Sequence, residues 1–229
     1  MNKTLFRCIV PFGVALIAGL SLIAAVNRFK SYDRSVSVRG LCEREVKADV
    51  AYYPISFSRD GNNLVDLNKD MQTTNKSVVE FLKKNGFEDS EITLTVPTIN
   101  DHRSESYRRE GLADYTMNQT ITLYTKKVDK VLEFQTHLSE LFEMGIAISE
   151  SWSGPSFEFN GLNDIKVSMI EEANKSALES AKQFAKDSHS RVGKIKDASQ
   201  GYFSIEDRDV NTSHIKTVRV VTNVTYYLR

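Results

Sequence analysis

The chain has 229 residues, with 30 Lys plus Arg against 30 Asp plus Glu, so the formal net charge is zero and nothing global selects a nucleic acid or an anionic surface as partner. Its two cysteines are Cys8, inside an apolar N-terminal run, and Cys42, which excludes a domain stapled by disulfides in the remaining chain. Four prolines and 26% charged residues fit an ordered protein with an ample core.

Lys3 and Arg7 precede an uncharged run, Cys8 to Val26, whose 19 residues would span about 28 Å as a helix, close to the thickness of a bilayer core. The run is longer than the apolar region of a secretory signal and ends in Ala24-Ala25-Val26-Asn27-Arg28 without a clean small-x-small site. An uncleaved anchor over residues 1–30 fits better than a cleaved signal, and both export residues 31–229. Arg28, Lys30 and Arg34 after the run offset Lys3 and Arg7, so charge leaves the orientation open.

Beyond the linker, Val36-x-Val38-x-Gly40 alternates as a strand does, and Val50 to Ser58 forms a second strand closed by Asp60-Gly61-Asn62. Pro54 removes a ladder donor from that strand, which predicts an edge position or a bulge. Leu64, Leu67, Met71, Val78 and Leu82 share a helical face that stops at Asn85-Gly86. Ile92, Leu94 and Val96 alternate as a third strand. After a polar excursion over Asn100 to Asp114 the fourth returns with Tyr115, Met117, Ile121 and Leu123, so the pair reads as a hairpin with a long loop.

Val128, Val131, Phe134, Leu138, Leu141 and Phe142 predict one amphipathic helix ending near Gly145, followed by an extended stretch from Ile146 to Phe159 that contains Trp152. From Ile165 to Val192 alanine recurs every fourth residue, at Ala173, Ala177, Ala181 and Ala185. This is one helical face, apolar and small, suited to close packing on a sheet. Ile195 to Ile205 reads as a strand interrupted at Gly201. In the last strand Val218, Val220, Val224, Tyr226 and Leu228 face one way. The order ββαββ-αβαββ predicts an α+β fold with antiparallel or mixed sheets and helices packed on them.

Three stretches carry a resemblance. Val36-Ser-Val38-Arg-Gly40 leads into Val46-Lys47-Ala48-Asp49-Val50-Ala51; Ala173-x3-Ala177-x3-Ala181-x2-Phe184-Ala185 leads into Val192-Gly193-Lys194-Ile195; Val218-x-Val220-x3-Val224-x-Tyr226-x-Leu228 ends the chain. In this order, behind an export segment, they resemble the SIMPL domain (DUF541) family, which includes bacterial periplasmic immunogenic proteins. Ala48 stands where the family's step has proline. The resemblance covers Ser35 to Arg229 and implies an α+β fold, an envelope or periplasmic location and a tendency to form ring-like oligomers; it supplies no catalytic residues.

The chemistry-bearing clusters are few. Glu133, His137 and Glu140 fall at i, i+4, i+7, a spacing that could hold a metal for a hydrolase, but the second histidine of H-E-x-x-H is missing and a solvated polar face is the better reading. Asp66 and Asp70 are a helical carboxylate pair of the same kind. Arg103, Tyr107, Arg108 and Arg109, beside His102, make the long loop basic and aromatic, a candidate contact for an anion or glycan. Glu206 to Asp209 lacks the glycine and closing glutamate of a calcium loop, and Cys42 reads as a small buried side chain. No nucleophile triad, phosphate loop or C-x-x-C occurs. The expectation is a non-enzymatic, self-associating structural or binding domain without a cofactor, held in the bacterial inner membrane by one span and facing the periplasm, with a secreted form, a glycan or small-molecule module and a metal-dependent hydrolase as alternatives.

Overall fold

The computed structural model describes residues 34–104, 111–149 and 154–229, together with Gly19 and Ser21. Among the described residues, two antiparallel sheets and four helices make an α+β fold. In chain order these are β1 (Ser35–Lys47), β2 (Val50–Gly61), α1 (Leu64–Lys84), β3 (Ile92–Leu94), β4 (Thr98–Asp101), β5 (Tyr115–Thr125), α2 (Val128–Gln135), α3 (Ser139–Glu143), β6 (Ile148–Ser149), β7 (Ser156–Glu158), α4 (Leu162–Asp187), β8 (Val192–Gln200), β9 (Ser204–Asp207) and β10 (Ile215–Leu228). Among the described residues no helix is long and apolar enough to cross a membrane. The expected anchor over Cys8 to Val26 lies outside the described residues, Gly19 and Ser21 excepted.

The described residues divide into two compact units, one within 34–44, 165–204 and 218–229, the other within 45–104, 111–149, 154–164 and 205–217. In the first, α4 buries Met169, Ala173, Ala177, Ala181 and Ala185. Val38, Val224 and Tyr226 form one cluster with Ala177 and Ala181, so the alanine stripe does pack on strands. Gly40 sets the distance. A Cβ there would lie 1.8 Å from the Ala173 carbonyl oxygen and 2.7 Å from the Ala177 nitrogen, so the helix backbone rests directly on β1. The helix ends at Asp187, earlier than its sequence pattern suggests. His189 takes a left-handed conformation (φ 53°), the Ser190 amide reaches back to the Ala185 carbonyl at 2.7 Å and the His189 amide to that of Lys186 at 3.1 Å. That pair of bonds satisfies the last helical carbonyls.

In the second unit, β2 pairs with β5 from Ala51↔Thr125 to Gly61↔Tyr115 without a break. The apolar odd-numbered residues of both strands, among them Tyr53, Ile55, Phe57, Met117, Ile121 and Leu123, join Leu67, Met71, Val78, Leu82, Val131 and Phe134 in one core. Asn63 caps α1 by accepting the Val65 amide at 2.8 Å. Pro54 sits in no bulge. On its far edge β2 pairs with β7 at residues 50–52 and with β6 at residues 56–57, so Pro54 occupies an interval where no described strand asks it for a donor.

Two further sequence expectations change. The helix predicted from Val128 to Phe142 is two, because the Thr136 hydroxyl takes the Glu133 carbonyl at 2.7 Å and the Thr136 and His137 amides bond three residues back rather than four. The third strand stops at Leu94. Its register with β5 shifts by one residue before Thr98↔Asn118, and Val96, expected inside, is almost fully exposed beside Pro97. Trp152 lies outside the described residues.

Candidate functional site

Most of the titratable clusters are already engaged with partners in their own unit. Arg103 lies just after β4 and donates to Asp101 through Nε at 3.0 Å and through its terminal nitrogen at 2.7 Å, and its guanidinium stands 4.6 Å from the Tyr115 ring centre. The side-chain and backbone hydrogen bonds from Arg103 hold the Asp101 carboxyl down at about 2. The fork expected to meet an external anion therefore meets an internal one. Tyr107, Arg108 and Arg109 lie outside the described residues.

Glu133, His137 and Glu140 do not share one helical face, since the break between α2 and α3 falls at residues 136–138. His137 Nδ1 is 3.0 Å from Glu140 Oε1, and Glu140 is 3.6 Å from Lys84; among the described residues no group of three His, Cys, Asp or Glu is placed to hold a metal. Asp70 faces Arg59 at 3.4 Å, and the Asp66 amide donates to the Asn63 cap. Asp209 closes its own turn, accepting from the Asn211 and Thr212 amides at 2.9 Å and from Arg208. Hydrogen bonds from Thr212 and Arg208 hold its carboxyl near 2 against the opposing cost of desolvation.

Cys42 is buried on β1, and its thiol donates to Glu172 on α4 at 3.1 Å. Arg44 bonds the other Glu172 oxygen at 2.6 Å and Ser168 Oγ at 3.2 Å. Burial and the Glu172 carboxylate push the thiol up to about 11. A protonated, enclosed thiol is a poor nucleophile. Native protein should therefore resist iodoacetamide at pH 8 and be labelled at Cys42 only with denaturant; rapid native labelling, read by mass spectrometry of the peptide, would contradict this.

A second network joins the end of α1 to the start of α2. Glu91 accepts from the Thr125 hydroxyl at 2.5 Å, from the Glu88 amide at 2.8 Å and from Lys127 at 2.9 Å. Desolvation pulls the Glu91 carboxyl upward, but these three donors outweigh it and hold the group below its ordinary 4.5. A depressed folded value stabilises the protein above the ordinary value, and that contribution is lost as pH falls from about 4.5 through the lowered one. Glu91→Gln should thus lower the urea midpoint at pH 7 and narrow the gap to wild type at pH 3; a gap that does not change with pH refutes the assignment.

Two features escaped sequence reasoning. Asp49 accepts from the Asn160 amide at 2.9 and 3.0 Å and from the Gly161 amide at 2.8 Å, just ahead of α4. The other is the face of the six-stranded sheet turned away from α1 and α2, which carries Tyr52 paired in register with Tyr124. Its signal was the uncharged even-numbered series from Tyr52 to Ser58 and from Thr116 to Tyr124.

Fold and clusters together define a class: an α+β protein of antiparallel sheets in which Arg103, Asp70, Glu140 and Asp209 each have a nearby partner within their own unit. A family model described as "SIMPL: Protein of unknown function (DUF541)" matches residues 36–226, and the chain belongs to that family. No curated protein matches it.

Proposed function

We propose that this chain is a non-enzymatic SIMPL domain of the bacterial cell envelope, anchored in the inner membrane by its N-terminal run with the domain in the periplasm, and that it self-associates. The anchor rests on the uncharged Cys8 to Val26 run behind Lys3 and Arg7. The observation that carries self-association is β8: among the described strands it pairs only with β10, and Lys194 to Gln200 are exposed throughout. An exposed nine-residue strand with one neighbour among the described strands is a template for another chain. The internally paired Arg103, Asp101, Asp209 and Glu172 support a structural role over catalysis.

The full chain in detergent should show a protein mass that is a multiple of 25.9 kDa by light scattering. A strict monomer at tens of micromolar overturns the assembly. Extraction of the chain from membranes by alkaline carbonate overturns the anchor and favours the secreted form.

A further inference from the structure

The open face of the six-stranded sheet differs from an ordinary solvated face in having almost no charge. Residues directly opposite one another in an antiparallel pair share a face. Across the strands the outward rows therefore run Tyr52 with Tyr124 and Ser156, Pro54 with Thr122 and Thr93, Ser56 with Thr120 and Ser149, and Ser58 with Asn118 and Thr98. No member of these rows is charged, in a chain with 26% charged residues. The field is bounded by one carboxylate at each end, Asp60 opposite Thr116 and the exposed Glu158 opposite Val50. The other sheet provides the contrast, because the outward residues of its strand β1 include Arg39, Glu43 and Glu45, all exposed.

Two aromatic rings stand at one end of this hydroxyl field. Tyr52 and Tyr124 are 41% and 52% exposed and directly opposite each other, and neither takes part in a ring or cation contact among the described residues. Opposed side chains of such a pair start about 5 Å apart at Cβ. A tyrosine ring has an apolar face and a polar tip, so a pair of them beside hydroxyl and amide groups matches a ligand that is apolar on its ring faces and hydroxylated at its rim. Ser56 Oγ and Thr120 Oγ1 already bond each other at 2.9 Å, which holds the middle of the field in place.

We propose that this face binds a neutral, extended glycan chain, with Tyr52 and Tyr124 as the stacking platform and Thr93, Asn118, Thr120 and Thr122 as the hydrogen-bonding field. The uncharged surface selects the partner. An anionic polymer would find no cation in these rows, and a protein partner of average composition would bring charges with nothing to meet them. A flat row across three strands suits an extended chain rather than one sugar enclosed in a pocket. The site depends neither on export nor on self-association.

The test is calorimetric titration of the full chain in detergent with two neutral oligosaccharides, cellohexaose and the β-1,4-linked N-acetylglucosamine hexamer, and with a sulfated heparin fragment. The expected result is saturable binding of at least one neutral hexamer, insensitive to added salt. Tyr52→Ala and Tyr124→Ala should each weaken it about tenfold, while Tyr52→Phe retains it. Both tyrosines are solvent-facing, so these variants keep the fold, which their unchanged melting temperature verifies. Absence of binding by both neutral hexamers overturns the proposal. So does binding that survives the double alanine variant, or salt-sensitive preference for the sulfated fragment.

Discussion

Gly40→Ala should be among the most damaging single substitutions in this protein, costing about 3 kcal/mol of stability, at the upper end for overpacking. The reason lies in what surrounds the missing Cβ. Its neighbours would be the Ala173 carbonyl oxygen at 1.8 Å and the Ala177 nitrogen at 2.7 Å, both backbone atoms of α4. A flexible side chain could swing away from an added methyl group, but a helix backbone moves only as a unit. Displacing α4 would open the contacts of Ala173, Ala177, Ala181 and Ala185, which are all buried along the same stripe. Ala177→Leu attacks the same interface from the helix side and should cost about 1–3 kcal/mol, because there the new atoms are side-chain atoms with rotamers to choose from. Urea unfolding of the two variants beside wild type checks both the sign and the order. If Gly40→Ala unfolds at the wild-type midpoint, α4 does not rest on β1 as closely as the geometry requires.

The interface also marks how far the sequence could be read. Four alanines at helical spacing announced a small apolar face, and period-two valines announced the strands that receive it, because both patterns are local and the burial that selects them is one-sided. That the receiving residue is Gly40, more than 130 positions from Ala173, is set by sheet topology and leaves no local trace. The same distinction separates correct from incorrect elements elsewhere. The hydrophobic face of α2 and α3 looked continuous, since periodicity counts side chains and not the Thr136 hydroxyl that competes for a helical carbonyl. Val96 fitted the alternation of β3 until the register shift ahead of Thr98 turned it outward. Among the candidate site residues, Arg103 forks onto Asp101 only two residues away, a local pairing that charge counting along the loop does not reveal. The face with Tyr52 and Tyr124 needed the register of β2 with β5 before two separate uncharged series became one surface.

The second large effect is expected at Asp49, the acidic residue of the Lys47-Ala48-Asp49-Val50-Ala51 step that carries part of the family resemblance. Its carboxylate gathers the Asn160 amide on both oxygens and the Gly161 amide on Oδ2, while its own amide donates to the Glu158 carbonyl at 2.9 Å. The chain from Glu158 to Gly161 is thus fastened to the β1–β2 connection immediately before Leu162 opens α4. A carboxylate at this place also faces the first turn of a 26-residue helix, whose amides carry partial positive charge. Asp49→Ala takes this acceptor from two amides and removes the favourable charge, for an expected loss of about 2–3 kcal/mol. Asp49→Asn keeps one carbonyl acceptor and the side-chain volume, so it should lose about half as much. Glu at the same position keeps the charge but adds a methylene where a Gly161 Cβ would already meet Asp49 Oδ2 at 3.4 Å, and it should fall between the two. Ranking the three by denaturant midpoint separates hydrogen bonding from charge. Asn as damaging as Ala would show that charge dominates, and three variants at the wild-type midpoint would show that the clamp ahead of α4 contributes nothing to stability.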